Sequence, residues 1–393
     1  MSLWHAPNRR DFLKFLAASP LAGFAAERSD TVIGKPGDAI NVFDFENAAR
    51  RILPPAHFGY LATGVDGDAT VRANRDGFDR FHIRARRLVD TSKIDSSIRL
   101  LGTDWPTPII LAPVGSQRAF HSDGEIAVAR AAGAKKHLQM LSTQTTSSIE
   151  DVNAAHGTAV WYQLYATTRW DLSRAMVKRA EAAGCPVLVF TVDQISGSNR
   201  ETLKQFSAQD PRDCRVCHDN STLQSRNVRR PMFNGMDLNG VAFQPPVTWD
   251  YVKRLKDTTS MKLVIKGIVT REDAELCVQH GADAVVCSNH GGRADDIGSS
   301  SIECLPEIAA GVGGRIPVLV DGGFRRGTDI FKALALGANG VLIGRPYVWG
   351  LGSFGQEGVE AVLDILKREL HLAMRYAGTP KIADITRAYV GSK

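Results

Sequence analysis

Residues 318–346 read VLVDGGFRRGTDIFKALALGANGVLIGRP. Val318-Leu319-Val320 is a short apolar run that stops at Asp321-Gly322-Gly323, which predicts a buried strand ending in a tight turn. The following GTDIFKALALGA predicts a helix that closes at Gly337. A second apolar run, Gly340-Val341-Leu342-Ile343, ends at Gly344-Arg345. Strand, helix and strand in this order make a parallel βα unit.

The same unit recurs outward from this stretch. Six more apolar runs precede it: IILAPV from Ile109, LQMLST from Leu138, AVWYQLY from Ala159, VLVFTVD from Val187, LVIKG from Leu263 and AVVCSN from Ala284. Helix-like stretches such as GEIAVARAAGAK and WDLSRAMVKRAEAAG fill nearly every gap. Periodicity alone allows an open sheet. The count of eight favours an α/β fold of the closed (β/α)8 TIM barrel type. Such a barrel takes about 250 residues, and the chain has 393. Residues 31–393 therefore read as one domain, with the barrel starting near 105. Before it lies a helical extension containing NVFDFENAARRIL and a glycine turn near Gly64. A long mouth loop, about 200–246, follows the fourth strand, where loops of this length act as lids or stay disordered.

Composition narrows the class. Hydrophobic residues make up 44% and charged residues 23%, as in ordinary globular proteins. The net charge of +6 is scattered, which argues against nucleic-acid binding. Basic pairs such as Arg86-Arg87 and Arg229-Arg230 read as solvated loop residues. Cys185, Cys277, Cys287 and Cys304 are isolated and read as buried thiols. At the N-terminus, Arg9-Arg10-Asp11-Phe12-Leu13-Lys14 precedes a short apolar run and small residues near Gly23 and Ala25. Residues 1–30 thus resemble a twin-arginine export signal, which implies a periplasmic protein; a retained amphipathic helix is the alternative.

Chemistry in such barrels sits at the carboxyl ends of the strands. Here every end carries a polar residue or glycine: Pro113-Val114-Gly115, Ser142, Gln163 with Tyr165, Thr191 with Asp193, Lys266, Ser288-Asn289-His290, Asp321-Gly322-Gly323 and Gly344-Arg345. The last two ends predict a phosphate site, in which glycines, helix N-terminal amides and the guanidinium groups of Arg325 and Arg345 meet the anion. In SNHGGR, His290 can accept a proton near neutral pH and Arg293 can clamp a carboxylate. The two glycines allow a tight turn and room for a ligand. Asp193 is a candidate partner for His290. Lys266, flanked by apolar residues, can stabilise an anion inside the barrel.

SNHGGR, LVIKGI, TVD followed by Arg200, WYQLY, LAPVG and DGGFRRGTDIFKALALGANGVLIGRP together resemble the FMN-dependent 2-hydroxy acid dehydrogenases and oxidases, from about Asn41 to near the C-terminus. That family includes glycolate oxidase, flavocytochrome-type lactate dehydrogenase, lactate monooxygenase and mandelate dehydrogenase. The resemblance implies an FMN at the barrel mouth and His290 as active-site base, paired with Asp193. It implies Arg293 and Arg200 on the substrate carboxylate, with Tyr60 and Tyr165 also touching substrate. Pro113, Val114, Gly115, Ser142, Gln163, Thr191, Lys266 and Ser288 would line the flavin ring and ribityl chain. Asp321, Gly322, Gly323, Arg325, Gly344 and Arg345 would hold its ribityl and phosphate end. Lys266 would stabilise the reduced, anionic ring. The product would be a 2-keto acid, formed by hydride or by carbanion transfer, and family members often form homotetramers.

Three departures bear on this. Gln144 stands where several members have Trp beside the substrate pocket. Gly115 stands where glycolate oxidase has Ala, which favours a cytochrome or quinone over oxygen as electron acceptor. Cys214-Arg215-Val216-Cys217-His218 matches the c-type haem attachment motif, with Met232 or Met236 as candidate axial ligand. A local disulfide or a labile metal site reads the same residues, and the loop offers little material to bury a porphyrin, so no metal ligand set is assigned. The competing functions are a reduced-FMN barrel isomerase and a non-catalytic exported flavin electron-transfer module. The trio His290, Arg293 and Arg200 suits a carboxylate substrate and argues against both.

Overall fold

Eight parallel strands form the centre of the computed structural model, which describes residues 32–194, 197–212 and 229–393. They are β1 (Ile109–Leu111), β2 (Met140–Ser142), β3 (Trp161–Leu164), β4 (Val187–Thr191), β5 (Lys262–Ile268), β6 (Ala284–Cys287), β7 (Val318–Val320) and β8 (Gly340–Ile343). Seven lie within the predicted apolar runs, and β5 extends one residue beyond its run at each end. Consecutive strands pair from β2 round to β8, and β8 pairs with β1. A single parallel bridge between Leu111 and Gln139 closes the ring, with the Leu111 N–H donating to the Leu138 carbonyl at 2.9 Å. The fold is a (β/α)8 barrel.

Strand alternation places the site. Successive side chains point to opposite faces of a strand. Ile109 and Leu111 pack outward with the helices, as do Leu188, Phe190, Val318 and Val320. Ile110, Met140, Trp161, Val189, Val264, Val286, Leu319 and Leu342 form a separate cluster inside the ring. Two residues further along each strand, the same inner face carries Ala112, Ser142, Gln163, Thr191, Lys266, Ser288, Asp321 and Gly344. An apolar plug therefore supports a polar layer directly above it, at the carboxyl ends. The other end of the barrel is covered by a hairpin, Ile98–Leu100 with Thr103–Trp105, which buries Leu100 against the plug.

The N-terminal extension is helical, as expected, over Val42–Ile52, Pro55–Ala62 and Ala69–Asp76. Asn41 caps the first helix by accepting from the Phe43 amide, and Asp44 reaches back to the Asn41 amide. That helix packs on the terminal helix Arg345–Ala377. Phe81–Ile83 pairs antiparallel with Val390–Ser392, tying the two ends of the domain together. Residues 213–228 of the connection after β4 lie outside the described residues. Its described part carries the helix Glu201–Ala208, whose Phe206 packs against Phe58 of the extension at 6.2 Å between ring centres.

The four isolated cysteines are free and buried. Burial pushes the thiols of Cys185 and Cys277 up to about 12, so neither is a reactive thiolate. The twin-arginine stretch and Cys214, Cys217 and His218 lie outside the described residues. Met232, one proposed axial ligand, is fully buried in the main core, and Met236 packs against that core. Packing already uses both. Among the described residues no cluster of His, Cys, Asp or Glu could hold a metal ion, and no helix is long and apolar enough to cross a membrane.

The closing seam is acid-sensitive. His137 is buried beside it, with Nδ1 at 3.0 Å from the Ile109 carbonyl, and burial drives its pKa from 6.5 down to about 4. Above pH 6.5 the ring is neutral in both the folded and unfolded chain. As pH falls toward 4, only the unfolded chain takes up the proton, so folding loses about 3 kcal/mol. His156, whose ring meets the His137 carbonyl, is shifted in the same direction by burial. Urea unfolding at pH 7 and pH 4 should show this loss, and His137→Gln should show a shallower one. Equal slopes would assign the acid sensitivity elsewhere.

Candidate active site

The polar layer is a hydrogen-bonded floor. Ser142 Oγ donates to Gln163 Oε1 at 3.1 Å, and Gln163 Nε2 donates to Thr191 Oγ1 at 3.0 Å. On the other side of the ring, Lys266 Nζ donates to Ser288 Oγ at 2.7 Å, and Ser288 Oγ donates to Asp321 Oδ1 at 2.7 Å. Lys266 also pairs with Asp321 Oδ2 at 3.0 Å. Burial disfavours the charged ammonium, but Asp321 and Asp193 outweigh it, and the pKa of Lys266 rises.

Above this floor opens a cleft. Tyr60, Pro113, Val114, Gly115, Tyr165, Lys266, His290 and Arg293 line one part of it; Asp321, Gly322, Gly323, Arg325, Gly344 and Arg345 line another. Ser142, Gln163, Thr191 and Ser288 support the floor without lining the cleft. Arg200 borders a neighbouring cavity with Asp193 and Asp295.

His290 is held from both sides. Its Nδ1 lies 2.7 Å from Asp193 Oδ1, and its Nε2 faces Tyr165 at 3.3 Å between the nitrogen and the hydroxyl. With Nδ1–H donating to the carboxylate, Nε2 is left as the acceptor toward the cleft. The backbone is left-handed here, with φ +55°, and the His290 amide donates to Ser288 Oγ at 3.0 Å. Burial pushes the Asp193 carboxyl up, yet the charges of His290 and Lys266 outweigh it and hold it below the usual range. Asp193 therefore stays anionic, suited to fixing and stabilising a protonated His290.

Tyr60 sits among arginines. The Arg293 guanidinium lies 4.3 Å over its ring and that of Arg200 5.6 Å. Burial raises the phenol, but Arg293, Arg200 and Arg230 together lower it below its ordinary value. Arg293 Nη1 donates to the Tyr60 and Thr63 carbonyls, whereas Nη2 is buried without a partner. An unpaired buried guanidinium nitrogen beside an open cleft is a place for a carboxylate oxygen. Arg200 Nε donates to Ser198 Oγ at 3.0 Å, and burial followed by repulsion from Arg293 brings Arg200 down to about 10.

The other end of the cleft is also cationic. Burial, then the charges of Arg293 and Arg325, brings Arg345 down to about 9; burial likewise brings Arg325 to about 10. This accumulation of buried like charge suits a phosphate. One expected contribution is missing, however. The amides at the start of helix Gly327–Ala335 are already taken: Asp329 accepts from Arg325 and Arg326, and Glu369 accepts from Gly327. At this helix start an anion is left the guanidinium groups and the glycine turn.

The glycines of SNHGGR make room for protein as well as a turn. Gly291 and Gly292 have φ +67° and +75°. A Cβ on Gly292 would meet the Val71 amide nitrogen at 2.7 Å, and one on Gly291 would meet Arg345 Nη1 at 2.9 Å. Helix Ala69–Asp76 thus packs directly on this loop. Its Asn74 exchanges two 2.9 Å amide hydrogen bonds with Asn289. The charged stretch around Asn74 contains no signal for this role.

Two further residues were not foreseen. Gly267, in a bulge of β5 at φ +112°, leaves space for Asp193; a Cβ there would lie 2.6 Å from Asp193 Cβ. Gly267→Ala should therefore cost about 2–4 kcal/mol from strain and overpacking and displace Asp193, lowering turnover at least tenfold with flavin still bound. Urea unfolding and steady-state rates check both parts; wild-type turnover would show that Asp193 tolerates the shift. The second residue is Arg230. Read as solvated, it is part-buried: Nη2 donates to Ser116 Oγ at 3.0 Å and Nη1 to the Gln144 carbonyl. Arg86 and Arg87 are exposed, as expected.

The chain has relatives. The family model for FMN-dependent dehydrogenases matches residues 49–392. The peroxisomal (S)-2-hydroxyacid oxidase GLO3 of Arabidopsis thaliana is 38% identical over 352 residues, covering 89% of this chain and 96% of that protein. An L-lactate oxidase of Lysinibacillus sphaericus is 38% identical, over 86% of this chain and 89% of its own. The crystal structure of mandelate oxidase with (S)-2-phenylpropionate superposes with a TM-score of 0.79 at 36% identity, covering 90% of this chain and 98% of that one.

Proposed function

The chain belongs to the FMN-dependent dehydrogenase family, and from that premise we propose that it oxidises a small, lactate-like (S)-2-hydroxy acid to the 2-keto acid. The observation that carries this reading is the position of His290. Its Nε2 faces the cleft while Asp193 holds Nδ1, and Arg293, whose buried Nη2 has no partner, lines the same cleft. A proton acceptor beside a carboxylate clamp suits a substrate whose reacting carbon is bonded to its carboxyl group.

The donor set fits FMN. Arg325 and Arg345, with the Gly322-Gly323 turn, would hold the phosphate; Pro113, Val114, Gly115 and Lys266 would hold the ring. Bound FMN supplies the two-electron acceptor. Arg293 and Arg200 orient the substrate carboxylate, and Tyr60 and Tyr165 close over it. His290 Nε2 takes the proton that leaves the substrate, and Asp193 stabilises the resulting imidazolium. Lys266 adds positive charge beneath the site. Anaerobic addition of L-lactate and other (S)-2-hydroxy acids should bleach the bound flavin and yield keto acid. Flavin that stays oxidised with every such acid would refute the reading.

Gly115 carries our reading of the electron acceptor. A Cβ there would lie 2.7 Å from Gln144 Cβ, so the first strand's loop sits closer to Gln144 than an alanine permits. We take the acceptor to be a cytochrome or quinone, although the named relatives are oxidases. Aerobic peroxide formation as fast as dye-linked turnover would sink this. Export rests on the Arg9–Lys14 stretch with the apolar run and small residues that follow it; the Arg9→Lys, Arg10→Lys chain should remain in the cytoplasm, and unchanged export would remove the twin-arginine reading.

A further inference from the structure

Arg230 is a part-buried cation. Among the described residues it forms no ion pair, and burial lowers its pKa. The nearby carboxylate, Glu125, is already engaged by Gln117, Thr146 and Ser147. A buried charge without a counter-charge is costly, and such sites are usually completed by a ligand.

Its position says where that ligand lies. Arg230 is tied to Ser116 and to the Gln144 carbonyl, on the loops that follow β1 and β2. Arg293 and Arg200 stand on the loops that follow β6 and β4. Tyr60 feels all three charges. Arg293 and Arg200 thus come from the β6 and β4 side of the mouth and Arg230 from the β1 and β2 side, where Gly115, adjacent to Ser116, lines the cleft. A carboxylate held by Arg293 and Arg200 places the reacting carbon at His290. The far end of the same molecule is then directed toward Arg230.

We propose that Arg230 is a specificity residue and that the preferred substrates are (S)-2-hydroxy dicarboxylic acids of four or five carbons, whose second carboxylate meets Arg230. This rests on the hydroxy acid reading above and refines its substrate class. One carboxylate does not need three arginines, whereas two carboxylates a few ångströms apart match cations from two sides of the mouth.

The test uses flavin-loaded enzyme and chain-matched pairs: L-malate against L-2-hydroxybutanoate, and L-2-hydroxyglutarate against L-2-hydroxypentanoate. Anaerobic flavin reduction is followed for each. The dicarboxylate of at least one pair should be favoured at least tenfold in second-order rate constant. Arg230→Gln should bring that ratio to near one, and Arg230→Lys should restore part of it. Wild type that favours the monocarboxylates overturns the proposal and leaves hydroxy acid oxidation standing. So does an Arg230→Gln enzyme in which both members of a pair slow equally, because a mere loop clamp does that. Flavin that no hydroxy acid reduces overturns both readings.

Discussion

His290→Gln is expected to retain stoichiometric FMN and to reduce it with hydroxy acid about 10²–10⁴-fold more slowly than wild type, the range for loss of a positioned general base. The side chain reaches Asp193 with one ring nitrogen and the cleft with the other. Glutamine has no basic nitrogen to put in that second place. The His290 side chain is off the floor network of Lys266, Ser288 and Asp321, which the residue touches only through its backbone amide. Flavin content should therefore survive the change. Anaerobic single-turnover reduction, read beside flavin absorbance, separates the two effects. Reduction within tenfold of wild type would remove His290 from the proton transfer.

Lys266→Met should have the largest effect on stability. The ammonium is almost inaccessible and lies 3.0 Å from Asp321 and 4.0 Å from Asp193. Taking away one partner of a buried pair leaves the other charge unpaired, at about 3–5 kcal/mol. Here two carboxylates lose the same cation. The variant should unfold at lower urea even without cofactor, and should lose FMN on dilution. The apo form is the proper comparison, because bound FMN itself stabilises the folded state. Lys266→Met with Asp321→Asn should recover part of the loss. If the double variant is no better than the single one, the buried pair is not the cause.

Much of this site was readable along the chain. Lys266, Ser288 and Asp321 each follow an apolar strand at the inner parity, so period-two alternation puts them on one floor without any knowledge of contacts. His290 and Arg293 stand in a short glycine-bearing motif. Arg230 gave no such sign. It follows Arg229 in a polar loop, and paired loop arginines are ordinarily solvated. Its burial depends on Ser116 and Gln144, more than eighty residues earlier in the chain. Asp329 misled in the opposite sense. The helix start after DGGFRR looked open to an anion until its own third residue proved to occupy the amides.

The sequence by itself determined the strand order, the closed barrel and the composition of its polar layer. The strands and their polar ends follow from local periodicity, which the backbone imposes on residues near one another in the chain, and the closed barrel from the count of eight strands. Tertiary structure alone decided which groups meet. It set Gly267 against Asp193, Asn74 against Asn289, and Arg230 against the β1 and β2 loops. The reason is physical. A side chain's charge and reach are written in its type, but its burial and its partners depend on which distant segments pack over it.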